Sequence, residues 1–299
     1  MRCMNHYPLF QEPARYFCCS SSNIVRKPDT IIPTSINTTS MATPSTIVLV
    51  TGANKGIGLE ISRQLASEPY KYHVLMASRD LTRGTTAAST LQEQGLSVEH
   101  ITLDVTNDES IAAAVKLIDE KYDHIDGLIN NAGTFTELAS PLGGSPRQAW
   151  KDAFDTNLFG VAAVTDAFIP LLKKSTNPAP RMVFVSSDLG RLVTKYDPQH
   201  EYFKRPLPVY RCSKAAMNML ALYYAADFRA GWGAGEDGKG GGVEWKINVT
   251  CPGPTKTDFN RNRAQRPVSE GAKNAVRLAV LGPDGETGTI SGNEGVLPW

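Results

Sequence analysis

The sequence predicts an α/β domain built on one doubly wound parallel sheet with helices on both faces, and three observations point there. From Thr46 onward, short β-branched runs alternate with segments of helical period. Two of those runs, IVLV at 47–50 and MVFV at 182–185, are apolar without interruption, as strands buried on both faces require. The first run leads directly into a glycine-rich turn and then a helical segment, an arrangement that presents free backbone N–H groups to a ligand.

Residues 1–43 differ from the rest of the chain. They are rich in Pro, Ser, Thr and Asn with no sustained apolar period, so a disordered N-terminal extension is expected ahead of a single domain over 44–299. Two readings of it stay open. Arg2, Arg15 and Arg26 among many hydroxyl residues suit a transit peptide and a mitochondrial location, with Glu12 and Asp29 weighing against it. Met41, a few residues before the first strand, suits an upstream extension of a cytoplasmic protein.

Within the domain the expected strands are IVLVTG, HVLMAS, VEHITLDV, GLINNAG, RMVFVSS and WKINVTCPG. Helical period marks LEISRQLASE, SIAAAVKLIDEKY and SKAAMNMLALYYAADF. The apolar run from Leu158 to Leu172 is broken by Asp166 and falls short of the roughly 18 residues a membrane span needs, so it reads as a helix buried against the sheet. Arg191 to Pro208, with three prolines, reads as a loop at the site end of the sheet, and the stretch Gly231 to Gly242 as a mobile surface connection.

Composition excludes several classes. A net charge of +1 with interspersed acids and bases gives no electrostatic footprint for nucleic acid or an anionic membrane. The five cysteines show no CxxC or Cys/His spacing, which argues for a reducing compartment without a disulfide framework or metal. The five histidines are isolated, and there is no GxSxG elbow, so neither a metal hydrolase nor a serine hydrolase is expected. The sequons at Asn37 and Asn248 read as chance, the second because it falls in an expected buried strand.

The turn TGANKGIG, Thr51 to Gly58, sits between strand and helix, where Gly52, Gly56 and Gly58 let the backbone approach a pyrophosphate at a helix N-terminus. It lacks GK[ST], which argues against a triphosphate loop. Tyr210 and Lys214 in YRCSK lie four residues apart on an expected helix and so share one face. A tyrosine titrates near 10 and needs help to exchange protons at neutral pH; a neighbouring ammonium is expected to lower it.

These motifs resemble the short-chain dehydrogenase/reductase family over most of residues 46–299, closest to its NADPH-dependent carbonyl reductases, and imply a Rossmann-type sheet. The resemblance implies a cofactor cleft of Gly52, Asn54, Lys55, Gly56, Ile57 and Gly58, with Asp104 and Val105 near the adenine. Asn131, Ala132 and Gly133 of NNAG would line it, and Pro252, Gly253, Thr255 and Thr257 of PGPTKT would flank nicotinamide and diphosphate. Thr255 stands where the family often has an aliphatic residue, and the segment after Thr257 is short and charged, so a small lid is expected.

At the end of the second strand, Ser78 stands where an NAD-selecting acid is usual and Arg79 is next in sequence. Arg79, Arg83 and Lys55 therefore imply NADP(H), by gripping a 2′-phosphate. Asp80 is the competing carboxylate if the register is displaced by two. By the same resemblance Tyr210 is the general acid/base, Lys214 holds the ribose, Ser187 bonds the substrate oxygen and Asn157 kinks a helix beside them. The implied activity is hydride transfer between nicotinamide and a small carbonyl or alcohol. The alternative is a silent dinucleotide-binding sensor or scaffold on the same fold. Phe135, Trp150, Tyr196, Tyr202 and Phe203 are candidate pocket aromatics. A homodimer or homotetramer through the helices carrying Asn157 and Tyr210 is expected, unless the segment before Tyr210 blocks that packing.

Overall fold

A computed structural model describes residues 45–136, 145–175, 177–230 and 244–299. The expected N-terminal extension, with Cys3, Cys18, Cys19 and the Asn37 sequon, lies outside the described residues, as does the connection 231–242. The chain runs β1 (Ile47–Thr51), α1 (Gly56–Ala66), β2 (His73–Ser78), α2 (Leu81–Gln92), β3 (Val98–Thr102), α3 (Asp108–Tyr122) and β4 (Gly127–Asn130). It continues through α4 (Pro146–Phe154), a π-helical turn (Asp155–Phe159), α5 (Gly160–Lys173), β5 (Arg181–Val185), α6 (Val193–Tyr196) and α7 (Pro208–Arg229). The last elements are β6 (Lys246–Thr250), α8 (Val268–Ala279), β7 (Ile290–Gly292) and β8 (Gly295–Leu297).

The strands form one sheet in the order β3-β2-β1-β4-β5-β6-β7-β8, parallel except for β8. All six expected strands are present. Side chains alternate between two cores, as the period of two demands. Ile47 and Leu49 face α3, α5 and α7 among Ile118, Phe168 and Met217, while Val48 and Val50 face α1, α2 and α8 among Ile61, Leu91 and Val276. Each such aliphatic side chain contributes roughly 1.5–3 kcal/mol by leaving water.

Local signals set the helix ends. Asn107 caps α3 by accepting from the Ser110 amide at 2.7 Å, and Asp108 and Glu109 lie in the first turn, where the helix dipole favours negative charge. The Leu158–Leu172 run is helical, as expected, but its first residues belong to the π turn that joins α4 to α5. The expected loop before Tyr210 holds α6 and a series of turns. On the edge strand β3, Glu99 accepts from Lys121 and from the Tyr122 hydroxyl. Cys212 and Cys251 are free thiols, and no described helix is long and apolar enough to cross a membrane.

Phe168 is fully buried at the centre of the larger core. Phe168→Ala is expected to lower unfolding free energy by about 3–5 kcal/mol, read as a shift in denaturant midpoint at unchanged slope.

Candidate active site

β1 and β4 are neighbours whose following helices pass to opposite faces, so a crevice opens beyond their carboxyl ends. Two loops leave that point stitched together. The Thr51 hydroxyl accepts from the amides of Asn131 and Ala132, both at 3.0 Å, and the Asn131 side chain donates back to the carbonyls of Thr51 at 2.8 Å and Gly52 at 3.2 Å. Gly52 has φ +65°, and a Cβ there would stand 2.9 Å from the Ala132 Cα; one on Gly58 would stand 2.5 Å from the Gly52 carbonyl oxygen. Only glycine allows this closeness.

α1 begins at Gly56 with no side chain capping it and no acid in its first turn, so its leading N–H groups face the crevice without a competing carboxylate. That bare, positively polarised cradle fits a diphosphate. Ile57 leans on the core and Ala53 ties the loop to β2, while Asn54 is half-buried beside them. The opposite wall is the chain after β6, where Thr257 stands about one van der Waals contact from Gly56. Gly253 adopts φ +64°, and Thr255 is buried with its hydroxyl donating to the carbonyls of Pro252 and Gly253, each at 3.2 Å. The expected small lid is one 3₁₀ turn, Asp258–Asn260. Asp104 folds its carboxylate onto the Thr106 amide and hydroxyl, and Val105 packs its carbonyl against Gly160.

Ser78 is the last residue of β2, buried, with its hydroxyl 3.0 Å from His100 Nε2. Asp80 caps α2, accepting from the Arg83 amide at 2.9 Å and from Arg83 Nε at 2.7 Å; these bonds hold its carboxyl below its usual range. Asp80 and Arg83 thus satisfy each other. Arg79 is exposed and pairs with no acid among the described residues, whereas Lys55 reaches Asp258 at 3.3 Å across the cleft mouth.

Tyr210, Lys214, Ser187 and Asn157 come together from three elements. Tyr210 and Lys214 share the first turns of α7 and are both buried, and the Ser187 side chain acts on the Tyr210 phenol, partly offsetting the effect of burial. Lys214 Nζ donates to the Val185 carbonyl at 2.8 Å. Asn157 sits in the π turn, whose extra residue turns its side chain inward: its oxygen accepts from the Thr134 amide, and its nitrogen donates to the Thr134 carbonyl and the Ser213 hydroxyl. Gly133 lies between: a Cβ there would stand 3.3 Å from Asn157 Oδ1 and 3.6 Å from Lys214 Nζ.

In the chain by itself, burial dominates the electrostatics of the pair. Burial pushes the Tyr210 phenol up, opposed by the Ser187 side chain, and burial lowers Lys214 to about 8. Burial acts in opposite directions on the two because it disfavours the charged form of each. Burial therefore favours the neutral phenol at Tyr210. Ser186, by contrast, is committed to Asn218 at 2.6 Å.

Of the expected aromatics, Phe135 packs on Tyr210 with centroids 5.1 Å apart. Trp150 packs on Phe154, Tyr202 is buried and Tyr196 points to solvent. Phe259 was not foreseen: it reaches from the 3₁₀ turn to within 5.9 Å of both Phe135 and Tyr210. Its lone apolar side chain in a charged segment gave no periodic signal.

A short chain dehydrogenase family model matches residues 46–267, and the chain belongs to that family. It is 36% identical over 280 residues to the short-chain dehydrogenase/reductase ATR10 of Stachybotrys chlorohalonatus, covering 85% of this chain and 94% of the relative. It is 31% identical over 276 residues to carbonyl reductase [NADPH] 3 of Rattus norvegicus, covering 82% and 94%. Among solved structures it resembles NADPH-bound carbonyl reductase from chicken fatty liver, with TM-score 0.70 and 24% identity over 86% of this chain and all of that one. Salutaridine reductase from Papaver somniferum superposes with TM-score 0.67 at 24% identity, covering 82% and 99%.

Because Lys214 is buried with a lowered pKa, the unfolded chain binds more protons between about pH 8 and the ordinary lysine value near 10.5, so this group makes stability rise with pH there. Lys214→Met removes a burden that is full below pH 8. The stability of the variant relative to the unaltered chain should fall by on the order of 2 kcal/mol between pH 7 and pH 10, measured by urea unfolding.

Proposed function

We propose that the protein reduces a small carbonyl compound with NADPH, using Tyr210 as the proton donor. The observation that carries this reading is the gathering of Tyr210, buried Lys214 and Asn157 with Ser187 acting on the Tyr210 phenol, at the mouth of a cradle suited to a dinucleotide. When bound, the nicotinamide would supply the hydride, and the rest of the task falls to the chain. Gly52, Gly56, Ile57 and Gly58 would hold the diphosphate, Asp104 and Val105 the adenine end, and Asn131 to Gly133 with Pro252, Gly253 and Thr257 the nicotinamide end. Lys214 would hold ribose hydroxyls.

Ser187 and Tyr210 would bind the carbonyl oxygen together. Ser187 donates a hydrogen bond to the charge that develops there, and Tyr210 transfers its phenolic proton as the oxygen becomes an alcohol. Burial suits this direction, since it keeps the proton on Tyr210 until a stronger base, the nascent alkoxide, faces it. Asn157 fixes the Gly133–Thr134 corner and, through Ser213, the backbone carbonyl of Tyr210, so donor and cofactor wall keep one geometry. Phe135 and Phe259 make the approach to Tyr210 apolar and flat, which favours an apolar or aromatic carbonyl.

Selectivity for NADPH rests on Arg79. Asp80 is engaged by the α2 cap, so no carboxylate competes at the ribose, and the Arg79 guanidinium is available to a 2′-phosphate.

Oxidation of NADPH followed at 340 nm against benzaldehyde, acetophenone, phenylglyoxal, diacetyl and menadione tests the reading. Tyr210→Phe is expected to lower kcat by about a thousandfold while NADPH binding stays within about twofold. Retained turnover would remove Tyr210 from its role, and tight NADPH binding without turnover in the unaltered chain would favour a sensor. Arg79→Ala should weaken NADPH about tenfold or more and NADH less than about twofold; equal losses would refute the phosphate contact.

A further inference from the structure

Ser187 lies in a short loop, Ser186 to Gly190, between β5 and α6, and the loop is held from outside as well as by its own turn. Asn218, buried two turns beyond Tyr210 on α7, engages it with both ends of its amide. Its Oδ1 accepts from the Ser186 hydroxyl at 2.6 Å, and its Nδ2 donates to the Gly190 carbonyl at 3.2 Å. The residues on either side of Ser187 and Asp188 are thereby bracketed by one side chain. A second, weaker tether comes from Arg211, which donates to the Thr194 hydroxyl at 3.1 Å; that hydroxyl shares its proton between the Arg191 carbonyl at 2.8 Å and the Asp188 carbonyl at 3.1 Å. Between the two, Gly190 packs so closely on Lys214 that a Cβ would stand 2.8 Å from the lysine Cβ.

Residues 211, 214 and 218 recur at helical spacing, so these contacts form one stripe along α7. Tyr210 starts the same helix. We propose that Asn218, seconded by Arg211, is a positioning residue that holds the Ser187 loop against α7 and so fixes the Ser187 hydroxyl relative to the Tyr210 phenol. The inference rests on the reading of those two hydroxyls as the pair that binds the carbonyl oxygen. Asn218 itself is buried and spends its amide on Ser186 and Gly190. Because the tether bears on both flanks of the serine, its loss lets the hydroxyl drift by a fraction of an ångström, enough to matter for an oxygen gripped from two sides.

The test is a double-mutant cycle on the full chain, using whichever of the five carbonyl compounds is reduced most rapidly. Asn218→Ala should lower kcat/KM about tenfold with NADPH Kd within about twofold, and in a Ser187→Ala background the same change should cost less than about twofold, because Asn218 acts through Ser187. Asn218→Asp, which keeps an acceptor for Ser186 but loses the donor to Gly190, provides a near-isosteric second variant if the alanine chain does not fold. Amide exchange at Leu189 and Gly190 should speed up in either variant, a readout that needs no turnover. Losses that multiply independently in the two backgrounds, or NADPH binding that weakens in step with turnover, would overturn the positioning role. Failure of the underlying reading looks different: Ser187→Ala alone would then be fully active.

Discussion

The parting of β1 from β4 at their carboxyl ends governs where everything else can stand. A parallel sheet whose crossovers run in opposite directions from two adjacent strands leaves a gap between the loops that leave them, and the backbone at the gap must be satisfied without closing it. Thr51 meets that demand with a single hydroxyl accepting two amides, and Asn131 reciprocates by donating to the strand it faces. The loops are rigid where they cross and bare where they open, which is the condition for backbone donors to meet a ligand. Glycine at 52 and 58 is required by the same closeness.

Around this crevice the chain buries groups that would rather remain in water. Asn157, Lys214 and Tyr210 are all beneath the surface, and each is answered in a different way. Asn157 saturates its amide with three bonds inside the protein. Lys214 has a backbone carbonyl and a lowered affinity for its proton. Tyr210 has Ser187. Burial of this kind is tolerated when the polar groups are partnered, and it makes the local field strong because little water remains to screen it. The same desolvation that raises the phenol's hold on its proton makes it a good place to store one.

Much of this was legible in the sequence because the information is local. β1 and β5 announced themselves as uninterrupted apolar runs, since a parallel strand buried on both faces has no reason to alternate, and the other four as short β-branched runs between helical segments. The glycine turn, NNAG, the tyrosine–lysine pair and the PGPTKT segment are each contiguous, so their chemistry could be read one motif at a time. What escaped depends on distance. β7 and β8 are three residues each, with glycines, too short to carry a period. α2 holds Gly84 and four threonines and is helical because it packs on β3, against its own propensity. Spacing placed Lys214 one turn from Tyr210 but gave no measure of desolvation, which raises the phenol in the chain by itself. Phe259 and Asn218 act across 49 and 8 residues respectively from Tyr210 and were invisible without the fold.

The two outer strands of the sheet have a bearing beyond the site. An exposed parallel edge is a template on which another chain can hydrogen-bond, and both margins here are made unattractive to a newcomer. At one margin β3 carries a carboxylate, Glu99, engaged by Lys121 and Tyr122, so an incoming strand would have to settle beside fixed charge. At the other, the chain reverses at Gly295 and lays down β8 antiparallel for three residues, ending the ladder with a strand too short to recruit a partner. Both margins of the eight-stranded sheet thus carry a deterrent to edge-to-edge pairing, fixed charge on one and a three-residue antiparallel strand on the other.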